Sequence, residues 1–361
     1  MNTFDTFFST RTAIIITGLT IGILASLLQY AGNPGNMGLC IACFIRDISG
    51  ALGLHRAAAV QYIRPEIIGI ILGSFIASLM SKSFRTRSGG NAVIRFVLGF
   101  FAMTGCLVFL GCSWRALLRL AGGDLNAVTG IAGFIAGIWT GVLFNKSGFS
   151  LGKSTETSGT GGLFIPAAAL CFLLLLQFKP VLPSGAVFFS STGPGSMNAP
   201  VFYSLTASMI IGILAQKTRF CTVGAFKNVI HLRDFHMFTG AAFFVLGAAV
   251  VNSITGQFSV GFTGQPVAHN GHLWNFGGMM LAGLAFTLGG GCPGRQLILA
   301  GQGNNDAAVF ILGLTAGAAF AHNFNIAASP AGTSVWGMSA VIAGLAVCIS
   351  IGLLFRNNKP N

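Results

Sequence analysis

Charge is what this chain has least of. Only 7% of its 361 residues are Asp, Glu, Lys or Arg, where an average soluble domain carries about 25%. Acids are the rarest, with 7 Asp+Glu against 20 Lys+Arg. That shortage excludes a soluble globular protein, a disordered tail and a coiled coil, all of which depend on charged surface. There is no nucleotide-binding motif, so ATP-driven transport by this chain alone is not expected. No second C-x-x-C or H-x₃₋₅-H accompanies Cys40 and Cys43, so no zinc or other metal site is expected. No cofactor is expected either. Ahead of residue 12 the chain is short and polar and no A-x-A site follows, so no cleavable signal peptide is evident.

What is present is apolar. Hydrophobic residues make up 53% of the chain and the mean hydropathy is +0.77. Glycine, at 51 residues, is roughly twice its average usage. Transmembrane bundles use it at close helix crossings and in broken segments. The composition therefore predicts an all-α polytopic membrane protein. The net charge of +13 does not point to nucleic acid, because the basic residues sit in short stretches between apolar runs. There they set orientation.

A spanning helix needs about 20 mostly apolar residues. Ten candidates fit: 12–30, 65–81, 95–111, 125–144, 163–178, 200–216, 237–255, 275–291, 306–322 and 334–355. With ten crossings, 14 Lys and Arg fall on the side of the termini and 6 on the other. The positive-inside rule then places both termini in the cytoplasm. Lys153, Lys179 and Lys359 are part of that count. Four further stretches, 36–50, 112–121, 219–233 and 292–300, are too short or too polar to cross. Each starts near a Cys and carries Arg or Lys, and each reads as a re-entrant half-helix.

The chain also repeats itself. Residues 95–137 set against 275–317 give 12 identities in 43 ungapped positions, including Gly111/Gly291, Cys112/Cys292 and Arg115/Arg295. An offset of 181 brings Cys40 onto Cys221 and Arg46-Asp47 onto Lys227-Asn228. The reading is one membrane domain: a first repeat at 12–144, a linker with one span at 145–199, a second repeat at 200–322 and an extra C-terminal span at 334–355. Each repeat has four spans and one span lies between them, so the second repeat is expected to enter the membrane upside down. This is the inverted-repeat layout of many transporters, with the substrate route at the repeat interface.

Four of the eight cysteines, Cys40, Cys112, Cys221 and Cys292, hold repeat-equivalent places at the starts of the half-helices. Cys106, Cys171 and Cys348 lie within spans and read as small buried hydrophobes. The sharpest motif is Gly289-Gly290-Gly291-Cys292-Pro293-Gly294-Arg295-Gln296. Its glycines let a backbone or a bulky ion approach closely. Pro293 suits a first helical position, which puts Cys292 at the N-cap, among free amides that favour anions. Arg295 adds a fixed positive charge, and Cys112-Ser113-Trp114-Arg115 repeats the spacing. Cys43, Arg46 and Lys227 are accessory candidates. Cys40-Cys43 is open to redox exchange or a disulfide, and Arg46-Asp47 to an internal ion pair. Asn304 and Asp124 read as caps of the spans that follow them, and His269 and His272 as residues of a solvated loop.

Soft sulfur, fixed cations and helix N-termini together suit a soft or sulfur-bearing anion. Several weak stations in series favour passage over trapping.

At these residues the chain resembles the YeeE/YedE family of membrane proteins. The stretch from Gly290 through Cys292-Pro293-Gly294-Arg295-Gln296 to Asn304, with Gly317–Phe324, looks like its YedE selenium-metabolism branch, and Arg219-Phe220-Cys221 also looks like the family's. The resemblance covers about 12–355. It implies an hourglass-like transporter of selenium or sulfur species in the bacterial inner membrane, with the anion passed along Cys40, Cys112, Cys221 and Cys292. The expectation is thus a permease, not an enzyme, that moves a small selenium or sulfur anion. Arg115 and Arg295 balance its charge, and Gly291 and Gln296 line the path. Two alternatives stand beside it. One is a membrane-embedded transferase handing a persulfide-type group from Cys221 or Cys292 to a cytoplasmic carrier protein. The other is a structural membrane subunit with inert cysteines.

Overall fold

The computed structural model describes residues 7–356 except 153, 158 and 179–186. Lys153, Lys179, Lys359 and the start of the 179–199 connection lie outside the described residues. The chain is mostly helical. Its helices are α1 (Arg11–Tyr30), α2 (Ile41–Ala51), α3 (Pro65–Met80), α4 (Ala92–Phe109), α5 (Ser113–Ala121), α6 (Asn126–Lys146), α7 (Phe164–Phe178), α8 (Val201–Lys217), α9 (Thr222–Leu232), α10 (His236–Ile254), α11 (His272–Gly289), α12 (Pro293–Gly301), α13 (Asn305–Asn323) and α14 (Val335–Leu354). Arg87–Ser88 and Thr155–Glu156 form a two-residue antiparallel ribbon between connections.

Helix starts follow their capping chemistry. Thr10, Asn91, Asn304 and Ser334 each accept a hydrogen bond from an amide of the first turn. Pro65 and Pro293 open α3 and α12, where the missing N–H costs nothing. Asp124 accepts from the Asn126 amide at 2.9 Å at the start of α6.

All ten segments expected to span are helical. Seven of the apolar helical segments are long and apolar enough to cross a membrane, which marks the protein as membrane-embedded. The other three expected spans differ for local reasons. The helix at Pro65–Met80 has 16 residues and that at Val201–Lys217 has 17. Asn305–Asn323 has 19 but carries Asp306 and His322 in its end turns. Large apolar side chains such as Leu174, Phe202, Ile342 and Leu354 stay exposed on the outer faces, as a lipid solvent permits.

The helix pairs map onto one another when the halves are exchanged. α6 packs along α11 as α13 packs along α4, and α1 along α10 as α8 along α3. α5 lies on α10 as α12 lies on α3, and α2 on α13 as α9 on α6. The match extends to single atoms. A Cβ on Gly133 or Gly137 would lie 2.1 Å from the carbonyl oxygen of Phe276 or Met280. On Gly313 or Gly317 it would lie 2.2 or 2.5 Å from that of Phe96 or Phe100, the repeat equivalents. Only a bare Cα permits this backbone approach. α7 packs on α3, outside the exchanged pairs, and α14 on α4 and α11.

Candidate functional site

The long helix before each Gly-Cys motif ends in a left-handed turn. Leu110 closes α4 with φ 63° and Gly290 closes α11 with φ 92°. The same turn thus costs strain in the first half and none in the second. It breaks the helix before Gly111-Cys112 and Gly291-Cys292, and a short helix then begins.

Cys40, Cys112, Cys221 and Cys292 are the N-cap residues of α2, α5, α9 and α12. Three thiols accept a backbone N–H of their own helix at 3.4 Å: Cys40 from Cys43, Cys221 from Gly224 and Cys292 from Arg295. The thiols form two pairs. Cys40 Sγ lies 3.9 Å from Cys112 Sγ, and Cys221 Sγ lies 3.7 Å from Cys292 Sγ. All are free. The pairs join where α5 and α9 begin, through a 2.7 Å hydrogen bond between Ser113 Oγ and Thr222 Oγ1. Trp114 fills the space beside Gly294, whose added Cβ would meet the indole at 2.7 Å, and it stacks edge-on against Phe220 and Phe244. Four helix N-termini therefore converge on four sulfurs, a place where amides and dipoles favour negative charge.

The halves differ in what surrounds each pair. Cys40, Cys112 and Cys292 have no solvent exposure, while Cys221 is 8% exposed. Cys221 opens on a cavity of about 230 Å³ lined by Lys227, Asn228, Met237, Gly290, Gly291 and Arg295, among others. Arg295 Nη1 is buried there without a hydrogen-bond partner. Gly291 keeps its bare Cα against the Arg295 side chain and 3.8 Å short of the Cys221 sulfur, measured from where a Cβ would stand. Gln296 points the other way, its Nε2 donating to Gly289 O at 3.1 Å, and so braces the glycine run.

Around the first pair the corresponding space is filled. Arg115 is fully buried, and backbone carbonyls occupy its guanidinium. Nε donates to Asn36 O at 3.1 Å, Nη1 to Leu110 O, and Nη2 to Pro266 O and Val267 O at 3.2 and 3.1 Å. The last two belong to the α10–α11 connection, where Val267 adopts φ 49°, a strained conformation for a β-branched residue. Cys43, the counterpart of Gly224, sits 3.9 Å from Arg115 Nη1. Arg46, the counterpart of Lys227, turns to Asp47 at 2.6 Å, and Asp47 also holds Arg64 at 2.7 Å.

Two local expectations are corrected. Cys171 is exposed on α7, whereas Cys106 and Cys348 are buried. His269 does not sit in a solvated loop. It is 2% exposed, and a ring nitrogen lies 2.8 Å from Val108 O. Burial lowers its pKa from the ordinary value, so the imidazole is held neutral. The sequence reading gave no role to Ser113 or Trp114. The signal for Ser113 was its place directly after a repeated cysteine.

No family model matches the chain, and no curated protein matches it.

Proposed function

We propose that the protein is a permease for a small sulfur- or selenium-bearing anion, a member of the YeeE/YedE family set in a bacterial inner membrane. The reading has ten crossings, α2, α5, α9 and α12 as re-entrant half-helices, two inverted repeats and cytoplasmic termini. The observation that carries it is the pairing of four N-cap thiols at four converging helix N-termini. Neutral thiols are weak donors, and amides and dipoles attract an anion without the grip of a full cation. Paired soft stations in series fit passage better than storage. The exchanged helix pairs support an inverted repeat, and 14 basic residues against 6 support the orientation. The cavity at Cys221, Lys227 and Arg295 then faces the cytoplasm, while Arg115 and the Pro266–Val267 backbone close the outer end.

The test is uptake into proteoliposomes of thiosulfate, selenite, sulfite and sulfate, by wild type, Cys221→Ala and Cys292→Ala. Uptake of one species, lost in both variants, supports the permease. No uptake of any species by folded, oriented protein overturns it. A second reading rests on Cys221 being the exposed member of the four: a transferase that carries a persulfide on Cys221 for a cytoplasmic carrier protein. Membrane-impermeant thiol reagents separate the two. The permease exposes its cysteines to each side in turn along one path, the transferase to the cytoplasm alone.

A further inference from the structure

A hollow lies beside α7, the helix that stands outside the exchanged pairs. α7 packs on α3 and α12, and α13 packs on α2, α4 and α12. Between α7 and α13 is a cavity of about 60 Å³. Ile45 of α2, Ile68 of α3 and Leu297 of α12 are buried and make its floor. Half-buried Ala168 and Phe172 of α7 and Thr315 of α13 make its mouth. The repeat shows why there is space. At the offset of 181 that sets Cys40 on Cys221, Ile45 corresponds to Phe226. The Phe226 ring packs edge-on against Phe134 and Phe238, with centroids 5.9 and 5.7 Å away. An isoleucine at the same place in the first half leaves that volume open.

The lining decides what can enter. Every lining side chain except that of Thr315 is hydrocarbon. Thr315 Oγ1 donates to Ile311 O at 3.0 Å, and Thr315 O accepts from Ser49 Oγ at 3.4 Å. Water needs roughly two to four polar partners, and these walls offer it hydrocarbon. Left empty, the walls forfeit their dispersion contacts on one side. The mouth is also at the right depth for lipid. α7 belongs to a segment long and apolar enough to cross a membrane, and Ala168 and Phe172 lie near the middle of Phe164–Phe178. Half-way across a hydrocarbon layer about 30 Å thick, the neighbours of the protein are acyl chain ends. Leu170 and Leu174 of α7 and Leu312 of α13 are exposed to that surrounding. A helix, about 10 Å across, is too wide for the hollow, whereas the end of one chain fits.

We propose that the hollow is a binding site for the end of one lipid acyl chain. The chain enters between α7 and α13 and ends against Ile45, Ile68 and Leu297. It thereby completes the packing of α2 and α12, the helices that begin at Cys40 and Cys292, one from each thiol pair. The site requires only the membrane setting and is independent of what the thiols carry.

Photolabelling of the full chain in nanodiscs tests it. The probe is a phosphatidylcholine with a diazirine at the end of one acyl chain, and peptide mapping by mass spectrometry reads the adducts. Wild type should carry adducts on the floor, at Ile68 or Leu297, as well as on exposed Leu174. A diazirine placed next to the headgroup should leave the floor unlabelled. Ile45→Phe, which supplies the ring of the other half, should lose the floor adducts and keep those on Leu174. Phe172→Ala, which widens the mouth, should gain floor adducts, and this variant serves if Ile45→Phe does not fold. Leu174 adducts without floor adducts in wild type overturn the proposal. So do floor adducts that folded Ile45→Phe leaves unchanged, or that Phe172→Ala fails to raise. Discs holding one copy and discs holding two should label alike. A floor labelled in the first and shielded in the second would assign the hollow to a second copy of the chain and overturn the lipid site.

Discussion

Cys40 and Cys112 are 72 residues apart in the chain and 3.9 Å apart at sulfur, and Cys221 and Cys292 repeat the relationship at 71 residues and 3.7 Å. Each pair is held by two helix starts, not by a covalent bond, so its geometry depends on how the helices of its half pack.

The second pair should be the one that reagents reach. A short bifunctional thiol reagent added to native protein in detergent should bridge Cys221 and Cys292, because Cys221 opens on the cavity. Cys40 and Cys112, with no exposure in this state, should react far more slowly in native protein. Peptide mapping reads this directly, and preferential bridging of the first pair would contradict the asymmetry.

Arg115 and Arg295 should differ in stability although they are repeat equivalents. Arg115→Ala strands the carbonyls of Asn36, Leu110, Pro266 and Val267, and should cost on the order of 3 kcal/mol. Arg295→Ala removes a side chain whose Nη1 is unpartnered and should cost under about 1 kcal/mol, with its effect on anion uptake instead. Thermal unfolding in detergent compares them, and equal losses would show that the cavity arginine is also structural.

Asp47→Asn should be among the most damaging single changes. It leaves Arg46 and Arg64 buried without their shared carboxylate, at a cost of about 3–5 kcal/mol. Arg46→Lys should be milder, since Arg64 still holds Asp47. Expression yield and unfolding midpoint are the measurements, and a wild-type midpoint for Asp47→Asn would rule out a stabilising role.

Gly137→Ala should push α6 off α11, since its Cβ would lie 2.1 Å from Met280 O and that atom is backbone. A loss of about 1–3 kcal/mol is expected. Gly256→Ala has open space around its Cβ, so its cost is confined to the φ of 70°, and it should be smaller. Midpoints of the two variants in one detergent decide the order.

His269 makes stability sensitive to acid. It is held neutral by burial, while the unfolded chain protonates near the ordinary value of about 6.5. Its contribution is full above that pH and is lost as pH falls below it, towards the lowered folded value. The unfolding midpoint should therefore drop on acidification below about pH 6.5. A His269→Gln variant should show a shallower drop, and an identical slope would remove His269 as the cause.

Much of the architecture could be read from residue order alone. Apolar runs set where helices form, because in lipid every backbone polar group must bond within its own segment. The cysteine and arginine matches at offsets of 180 and 181 pointed to a duplication, and Gly-Cys-Pro-Gly-Arg carried the helix start at Cys292. Those signals are local, with cause and effect within a few residues.

Pairing and asymmetry were decided by the tertiary structure. No spacing says that Cys40 meets Cys112, because that follows from how α2 and α5 approach across 72 residues. Nor does Cys-x-x-Arg, present twice, say that Arg115 is spent on backbone carbonyls while Arg295 faces a cavity. The difference comes from the α10–α11 connection, whose Pro266 and Val267 reach into the first half and occupy donors that stay free in the second. The sequence alone settled which residues are equivalent. Long-range packing settled which of them are available, because a buried donor belongs to whichever acceptor the fold brings to it.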